Sequence, residues 1–121
     1  MQTENQEKGK KGEQMASEFL ISNGYTILEM NWQVGHLEVD IIASTEDMLV
    51  FVEVKTRKSN LFGEPEEFVG LSKQRNLIRA ANIYIEKTGI TKEVRFDIIS
   101  VILSEGVESV KHIADAFKPS W

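Results

Sequence analysis

The sequence contains no cysteine, and only two of its 121 residues are proline. Without cysteine the chain forms no disulfide and offers no thiolate to a metal, which is typical of proteins in a reducing compartment. No apolar run approaches the roughly 20 residues needed to span a bilayer. The polar beginning, MQTENQEKGKKGEQ, lacks the apolar segment of a secretory signal. These absences predict a soluble cytoplasmic protein.

Basic residues are also few. The chain has 14 Lys and Arg against 19 Asp and Glu, for a net charge of −5. A protein that coats nucleic acid needs a broad basic surface, so that class is disfavoured. An enzyme that cuts nucleic acid needs only a local basic path, although any single basic group is best explained as solvated surface. The groups are Lys8, Lys10 and Lys11; Lys55, Arg57 and Lys58; and Lys73, Arg75 and Arg79.

The length suits one domain, predicted over residues 9–121 behind a disordered tail over residues 1–8. Periodicity and turn residues then predict a helix, three strands, a loop, a second helix that begins near Ser72, and two more strands. The αβββαβ(β) order predicts an α/β fold, a central mixed sheet flanked by helices. The predicted elements cover residues 12–23, 25–30, 37–44, 48–56, 57–65, 72–88, 94–103 and 107–113.

The third predicted strand, MLVFVEVKT, combines apolar and charged residues. Its alternating valines face one side, whereas Phe51, Glu53 and Lys55 face the other. A strand with two apolar faces is usually central in its sheet, where an unpaired charge is costly. Alternatively, Glu53 and Lys55 mark the point at which the strand emerges into water, since Glu-x-Lys is common by chance.

A second carboxylate is predicted to lie nearby. Strict alternation puts Glu38, Asp40 and Ile42 on one face of the second strand, opposite Leu37, Val39 and Ile41. The turn over residues 45–47 makes a hairpin whose length brings Asp40 near Glu53. Two close carboxylates repel each other unless a cation lies between them or one is protonated. A hard divalent cation such as Mg²⁺ explains the pair, with Lys55 roughly 6–7 Å further along the strand, within reach of water and phosphate.

The pattern Asp40…Glu53-x-Lys55, preceded by a helix that carries Glu13, resembles the PD-(D/E)XK superfamily of restriction-endonuclease-like nucleases. More narrowly, the chain resembles the uncharacterised YraN-type bacterial family, which is similar in layout to archaeal Holliday junction resolvases. Val39 departs from the superfamily's proline, and Leu37 departs from the family's usual glycine. The matching residues are 12–13, 16, 19–20, 24–25, 31, 38, 40, 42–43, 50–57, 73 and 95–97.

The resemblance implies a restriction-endonuclease-like core and roles for individual residues. Asp40 and Glu53 would hold Mg²⁺ or Mn²⁺, Lys55 would serve catalysis, and Glu13 would approach from the first helix. Glu13 is equally well explained as a solvent-facing residue that the helix dipole favours. DNA, branched or otherwise structured, is the expected substrate, and a homodimer is the expected assembly. The expected substrate-binding residues are Lys73 and Gln74, at the start of the second helix, and Arg57.

Three functions remain open on the sequence alone. The first is a metal-dependent endonuclease, favoured by Asp40, Glu53 and Lys55. The second is a non-catalytic nucleic-acid-binding or scaffold module that retains the fold, favoured by the low basicity and the short chain. The third, a hydrolase of small phosphate compounds, lacks a glycine-rich phosphate loop. Glu38 could touch a metal through water or pair with a basic residue. His36 could contact substrate, although a histidine in a loop is more often incidental, and His112 receives no role. Trp32, Phe96 and Phe117 are predicted to pack in the core.

Overall fold

A computed structural model describes residues 3–58, 69–104 and 106–119. These residues form one five-stranded mixed sheet with a helix on each face. The order is the predicted αβββαβ of a restriction-endonuclease-like core, followed by a fifth strand. The elements are α1 (Glu4–Ser22), β1 (Thr26–Val34), β2 (Leu37–Ser44), β3 (Met48–Arg57), α2 (Leu71–Thr88), β4 (Glu93–Ser104) and β5 (Val107–Phe117).

The strands lie in the order β1-β2-β3-β4-β5, so β3 occupies the centre of the sheet. Neighbouring strands are antiparallel except for β3 and β4, which are parallel and are connected through α2. A parallel connection needs a crossover of this kind, because the chain must return to the same end of the sheet. The predicted central position of the strand that carries Glu53 is therefore confirmed.

Two apolar layers cover the sheet, one under each helix. On the α2 face, Phe51 of β3 packs with Leu77 and Tyr84 of α2. On the α1 face, Val50 and Val52 pack with Ala16 and Leu20 of α1. All but Tyr84 belong to the most deeply buried residues, and Tyr84 is 5% exposed. The predicted burial of both faces of β3 is confirmed, and it fixes the strand between the helices.

Helix α1 begins at Glu4, eight residues before its predicted start, so the predicted disorder over residues 4–8 is not found. The physical reason is a capping box. The Thr3 hydroxyl accepts from the Gln6 N–H, and the Gln6 side chain accepts from the Thr3 N–H. This pairing satisfies backbone donors that a helix start leaves open, and the Glu, Gln and Lys residues that follow it have high helix propensity.

Other boundaries shift by smaller amounts. The N-cap of α2 is Gly70 rather than Ser72, whereas the helix ends at Thr88 as predicted, and Gly89 beyond it has a left-handed backbone with φ 72°. Strand β5 extends to Phe117, which stacks on Phe96 at 5.2 Å between ring centroids. Of the predicted loop, residues 59–65 lie outside the described residues. No described helix has the length and apolar composition that a transmembrane span requires.

Helix α1 lies unusually close to β3 at Gly12. A Cβ added to Gly12 would stand 1.9 Å from the Thr56 hydroxyl oxygen, closer than any real contact. We therefore expect Gly12→Ala to destabilise the fold by about 1–3 kcal/mol, because overpacking outweighs the helix propensity that alanine adds. Urea unfolding measures the change in free energy.

Gly9 provides the matched control, because nothing lies within 4 Å of the position of its Cβ. Gly9→Ala should stabilise the protein by about 0.5–1 kcal/mol. Adding Thr56→Ala to Gly12→Ala should recover part of the loss, as expected for two residues in contact. Equal effects of the two glycine substitutions would contradict the close packing.

Candidate active site

The alternation of side chains breaks at Asp40. Val39 packs with Ile42 on the α2 face, and Ile41 packs on the α1 face. The prediction that Glu38, Asp40 and Ile42 share one face, opposite Val39 and Ile41, is therefore wrong.

The break in β2 is matched by one in β1. Met30 pairs with Ile41 and Trp32 pairs with Val39, so Asn31 lies opposite Asp40. Asn31 has a left-handed backbone, with φ 52°, in the middle of a strand. Asparagine tolerates this conformation better than most residues, and its occurrence outside a turn marks a locally strained position. Because side-chain alternation breaks at Asp40 in β2 and at Asn31 in β1, the Asp40 side chain takes a different direction from the one that regular alternation would give.

The Asp40 side chain turns toward the end of β3. Pairing between β2 and β3 ends at Ile41 and Val52. Beyond that point the two strands diverge, and Asp40 Oδ2 accepts a hydrogen bond of 2.8 Å from the Val54 N–H. The Asp40 carboxyl also contacts that of Glu53. The predicted proximity of the two carboxylates is therefore found, although it depends on the divergence of the strands rather than on regular pairing.

The Asp40–Glu53 pair is costly to ionise fully. Burial raises the pKa of Asp40, and the neighbouring charge of Glu53 raises it further, to about 7. The Val54 N–H and the more distant Lys73 oppose the rise. Two carboxyl groups in contact, one of them with a raised pKa, are the arrangement that a divalent cation relieves, because it favours both ionised forms.

The donor set fits a hard cation that keeps part of its water shell. Within residues 3–58, 69–104 and 106–119, no three His, Asp, Glu or Cys side chains form a ready-made cage for a metal. Magnesium does not require one, since it typically uses one or two carboxylates together with waters and substrate phosphate. Asp40 and Glu53 are the two residues that could hold it.

Glu13 reaches the same region from α1. Burial raises the pKa of Glu13, a hydrogen bond with Asn31 opposes the rise, and the charges of Asp40 and Glu38 add to it. The side chain is half-buried, which favours the predicted approach to the site over a solvent-facing role. Glu38 was predicted to touch a metal through water or to pair with a basic residue. In the structure it accepts a 2.9 Å hydrogen bond from the Gln33 side chain. Glu13, Asn31, Gln33 and Glu38 line a cavity of about 550 Å³.

Of the residues predicted to bind substrate or serve catalysis, Lys73 and Lys55 lie near Glu53, whereas Gln74 and Arg57 have other surroundings. Lys73 Nζ, in the first turn of α2, lies 3.6 Å from Glu53 Oε2, and the Glu53 side chain is 14% exposed. Lys55 follows Glu53 by two residues and is half-buried at the end of β3. Gln74 turns to its own loop and donates to the Val69 carbonyl at 2.8 Å. Arg57 lines a separate cavity beyond the strand end.

Comparison with known proteins gives the chain a family. The family described as "Uncharacterised protein family UPF0102" matches residues 12–101. The chain belongs to this family. A UPF0102 protein of Bacteroides thetaiotaomicron is 47% identical over 116 residues, covering 96% of each chain. A UPF0102 protein of Syntrophomonas wolfei is 41% identical over 114 residues, covering 93% of this chain and 99% of the relative. A UPF0102 protein of Dictyoglomus turgidum is 48% identical over 101 residues, covering 83% of this chain and 86% of the relative. These names assign no activity.

The UPF0102 chain also holds a buried polar cluster to which the sequence assigned no role. Asp97 of β4 is fully buried. Its carboxylate accepts two hydrogen bonds from Arg95, at 2.8 and 2.9 Å, and one from the Asp115 N–H at 2.9 Å. It also pairs with His112 Nε2 at 2.7 Å. Arg95 in turn contacts the Tyr25 hydroxyl at 2.5 Å.

These contacts set the charge state of Asp97. Burial alone would raise the pKa of Asp97, but the hydrogen bonds from His112, Arg95 and Asp115 outweigh it and lower the pKa. The signal in the sequence was an aspartate inside the apolar strand VRFDIISVIL, a type disfavoured in strands. This cluster ties β5 and the start of β1 to β4, and it includes none of the predicted site residues.

Proposed function

We propose that this UPF0102 protein is a metal-dependent endonuclease of the PD-(D/E)XK superfamily that hydrolyses phosphodiester bonds in DNA. The observation that carries the proposal is the contact of the Asp40 and Glu53 carboxyl groups where β2 and β3 diverge, with Lys55 next on β3. A fold alone does not imply a function, whereas these side chains supply the groups that phosphodiester hydrolysis needs.

The residues would divide the chemistry among them. Asp40 and Glu53 would hold Mg²⁺ or Mn²⁺, and the Val54 N–H fixes the direction of the Asp40 carboxylate. The bound cation would polarise the phosphodiester and acidify a water. The Lys55 ammonium would stabilise negative charge that develops on the phosphate oxygens. Lys73 offsets the charge of Glu53 in the metal-free protein and would be free to meet phosphate once a cation replaces it.

The expected substrate structure and oligomeric state follow from the resemblance to PD-(D/E)XK nucleases. Branched or otherwise structured DNA would be the substrate, and a homodimer would present two sites to two strands. The cell interior is the location that the absence of cysteine favours. The second candidate, a non-catalytic nucleic-acid-binding or scaffold module, is favoured by the net charge of −5 and by the short chain of 121 residues.

Lys55→Ala and Glu53→Gln distinguish catalysis from metal binding. We expect Lys55→Ala to retain Mg²⁺ affinity within about twofold, because the ammonium does not ligate the cation, and to lose cleavage by about 10²–10³-fold. Glu53→Gln should lose both, because it removes a ligand. Calorimetric Mg²⁺ titration and cleavage of plasmid and four-way-junction DNA in Mg²⁺ or Mn²⁺ measure the two properties.

Lys87→Ala, in the exposed last turn of α2, is the matched control and should change neither property. If wild type binds Mg²⁺ but cuts no DNA, the non-catalytic module becomes the better explanation. If Glu53→Gln binds Mg²⁺ as wild type does, the assignment of the metal ligands is wrong.

A further inference from the structure

Two basic groups that are separate in the sequence come together in space. Lys8, in the second turn of α1, and Lys58, just past the end of β3, line one cavity of about 310 Å³ together with Gly9, Thr56 and Arg57. The close approach of Gly12 to Thr56 brings this part of α1 onto the strand end. Gly9 contributes no side chain, and the space beside it is open to 4 Å. The cavity therefore combines bare backbone, a hydroxyl and positive charge.

The two lysines converge on one oxygen atom. Glu4 Oε1 lies 2.9 Å from Lys8 Nζ and 3.8 Å from Lys58 Nζ. Contact with the Lys8 ammonium lowers the pKa of Lys58, as expected for like charges held close together. The Ser104 hydroxyl donates to the Lys58 carbonyl and so fixes the backbone of that residue to β4. An anionic oxygen is what makes this approach of two ammonium groups favourable.

We propose that this cavity is a phosphate-binding subsite for a nucleic-acid backbone, in which Lys8 and Lys58 hold a phosphate that is not cleaved. Glu4 takes the place of that phosphate when no nucleic acid is bound. Its side chain is 74% exposed, so it can leave without disrupting the core. An isolated surface ion pair would need only one lysine and would contribute little. The shared oxygen and the open backbone beside it distinguish this cavity from such a pair.

The subsite rests on the proposed function and extends it. Thr56 follows Glu53 by three residues on β3, about 10 Å along the strand, and strand alternation places its side chain on the α1 face, opposite that of Glu53. The cavity therefore lies around the end of β3 from the Asp40–Glu53 pair, not on the same face. A duplex that crosses this end of the sheet with its scissile phosphate at Glu53 would meet the cavity with another phosphate of its backbone. The subsite would supply local positive charge that the net charge of −5 does not.

The test measures DNA binding without cleavage. Anisotropy of a labelled 20-base-pair duplex, in EDTA and at several salt concentrations, gives the affinity and its salt dependence. We expect the double variant Lys8→Gln/Lys58→Gln to reduce the slope of log K against log salt by about 1, the loss of one phosphate contact. Glu4→Gln should bind about two- to fivefold more tightly, because a competing carboxylate is removed. Lys92→Gln, at the opposite end of the sheet, removes the same kind of charge and should leave the slope unchanged.

A second probe does not depend on DNA. Inorganic phosphate, followed by NMR, should shift the amides of Gly9, Thr56 and Lys58 in wild type but not in the double variant. If wild type binds DNA and the double variant keeps the wild-type slope, this subsite is wrong while the nuclease proposal stands. If wild type binds no DNA in any form, the proposed function fails and the subsite fails with it.

Discussion

Asp40→Asn is expected to abolish Mg²⁺ binding and cleavage and yet to make the metal-free protein more stable at pH 8. The substitution preserves shape, because the asparagine carbonyl can accept the hydrogen bond from the Val54 N–H. Its amide can donate to Glu53, so a repulsive contact becomes an attractive one. A ligand of the cation is lost at the same time, and cleavage should fall by at least about 10³-fold.

The gain in stability should depend on pH in a defined direction. The pKa of Asp40 is raised to about 7 in the folded protein, against about 3.9 in an unfolded chain. Asp40 destabilises the folded protein only where an unfolded chain would ionise it, and near pH 4 that ionisation is only about half complete, so the two proteins should differ little there. Wild type should then lose stability as the pH rises toward 7. Above pH 7, the difference in free energy of unfolding between Asp40→Asn and wild type should level off at about 2–4 kcal/mol. Urea unfolding between pH 4 and 8, in EDTA, measures this difference.

Mg²⁺ provides an internal check, since a ligand that binds only the folded state stabilises it. Saturating Mg²⁺ should raise the stability of wild type and leave Asp40→Asn unchanged. The matched control is Asp47→Asn, at the exposed turn between β2 and β3, which should respond to neither pH nor Mg²⁺ in this way. If Asp40→Asn were less stable than wild type in EDTA at pH 8, the two carboxyl groups would not be in repulsive contact.

The parts of the fold that the sequence predicted are those in which local pattern and burial agree. The β3 segment is apolar on both faces, and a strand of that kind has few places in a sheet other than its centre. The 45–47 turn fixed the hairpin with β2, and so brought Asp40 toward Glu53. The αβββαβ order then left one natural way to cover the sheet with two helices.

The features that were missed depend on contacts between distant residues. Strict alternation could not reveal the flip at Asp40, because it requires Asn31 of β1 to adopt a left-handed backbone opposite it. The early start of α1 was hidden by a polar, lysine-rich composition, although Thr3 and Gln6 have the spacing of a capping box. The meeting of Lys8 with Lys58 needs both α1 and β3 in place, so no local pattern predicts it.

Asp97→Ala is expected to be the most destabilising of the substitutions considered, at about 3–5 kcal/mol. The carboxylate is fully buried and is the common partner of Arg95, His112 and the Asp115 N–H. Alanine would leave the guanidinium and the imidazole without their acceptor, and a buried N–H without a partner. Asp115 has φ 55°, so the backbone that the carboxylate holds is itself strained.

The same cluster should be recognisable by its pH dependence and by its coupling. Since the pKa of Asp97 is lowered in the folded protein, the stability it contributes is present above about pH 4 and is lost as the pH falls through the native pKa. The difference between wild type and Asp97→Ala should therefore narrow at low pH because wild type becomes less stable there, whereas the difference between wild type and Asp40→Asn narrows at low pH because the ionisation that destabilises wild type is lost. In an Arg95→Met background, Asp97→Ala should cost less, because the charge that it would strand is already absent. Mg²⁺ affinity should be unchanged wherever the variant is folded. A cost no larger than that of Asp47→Ala, at the exposed turn, would mean that Asp97 does not hold β5 and β1 to the sheet.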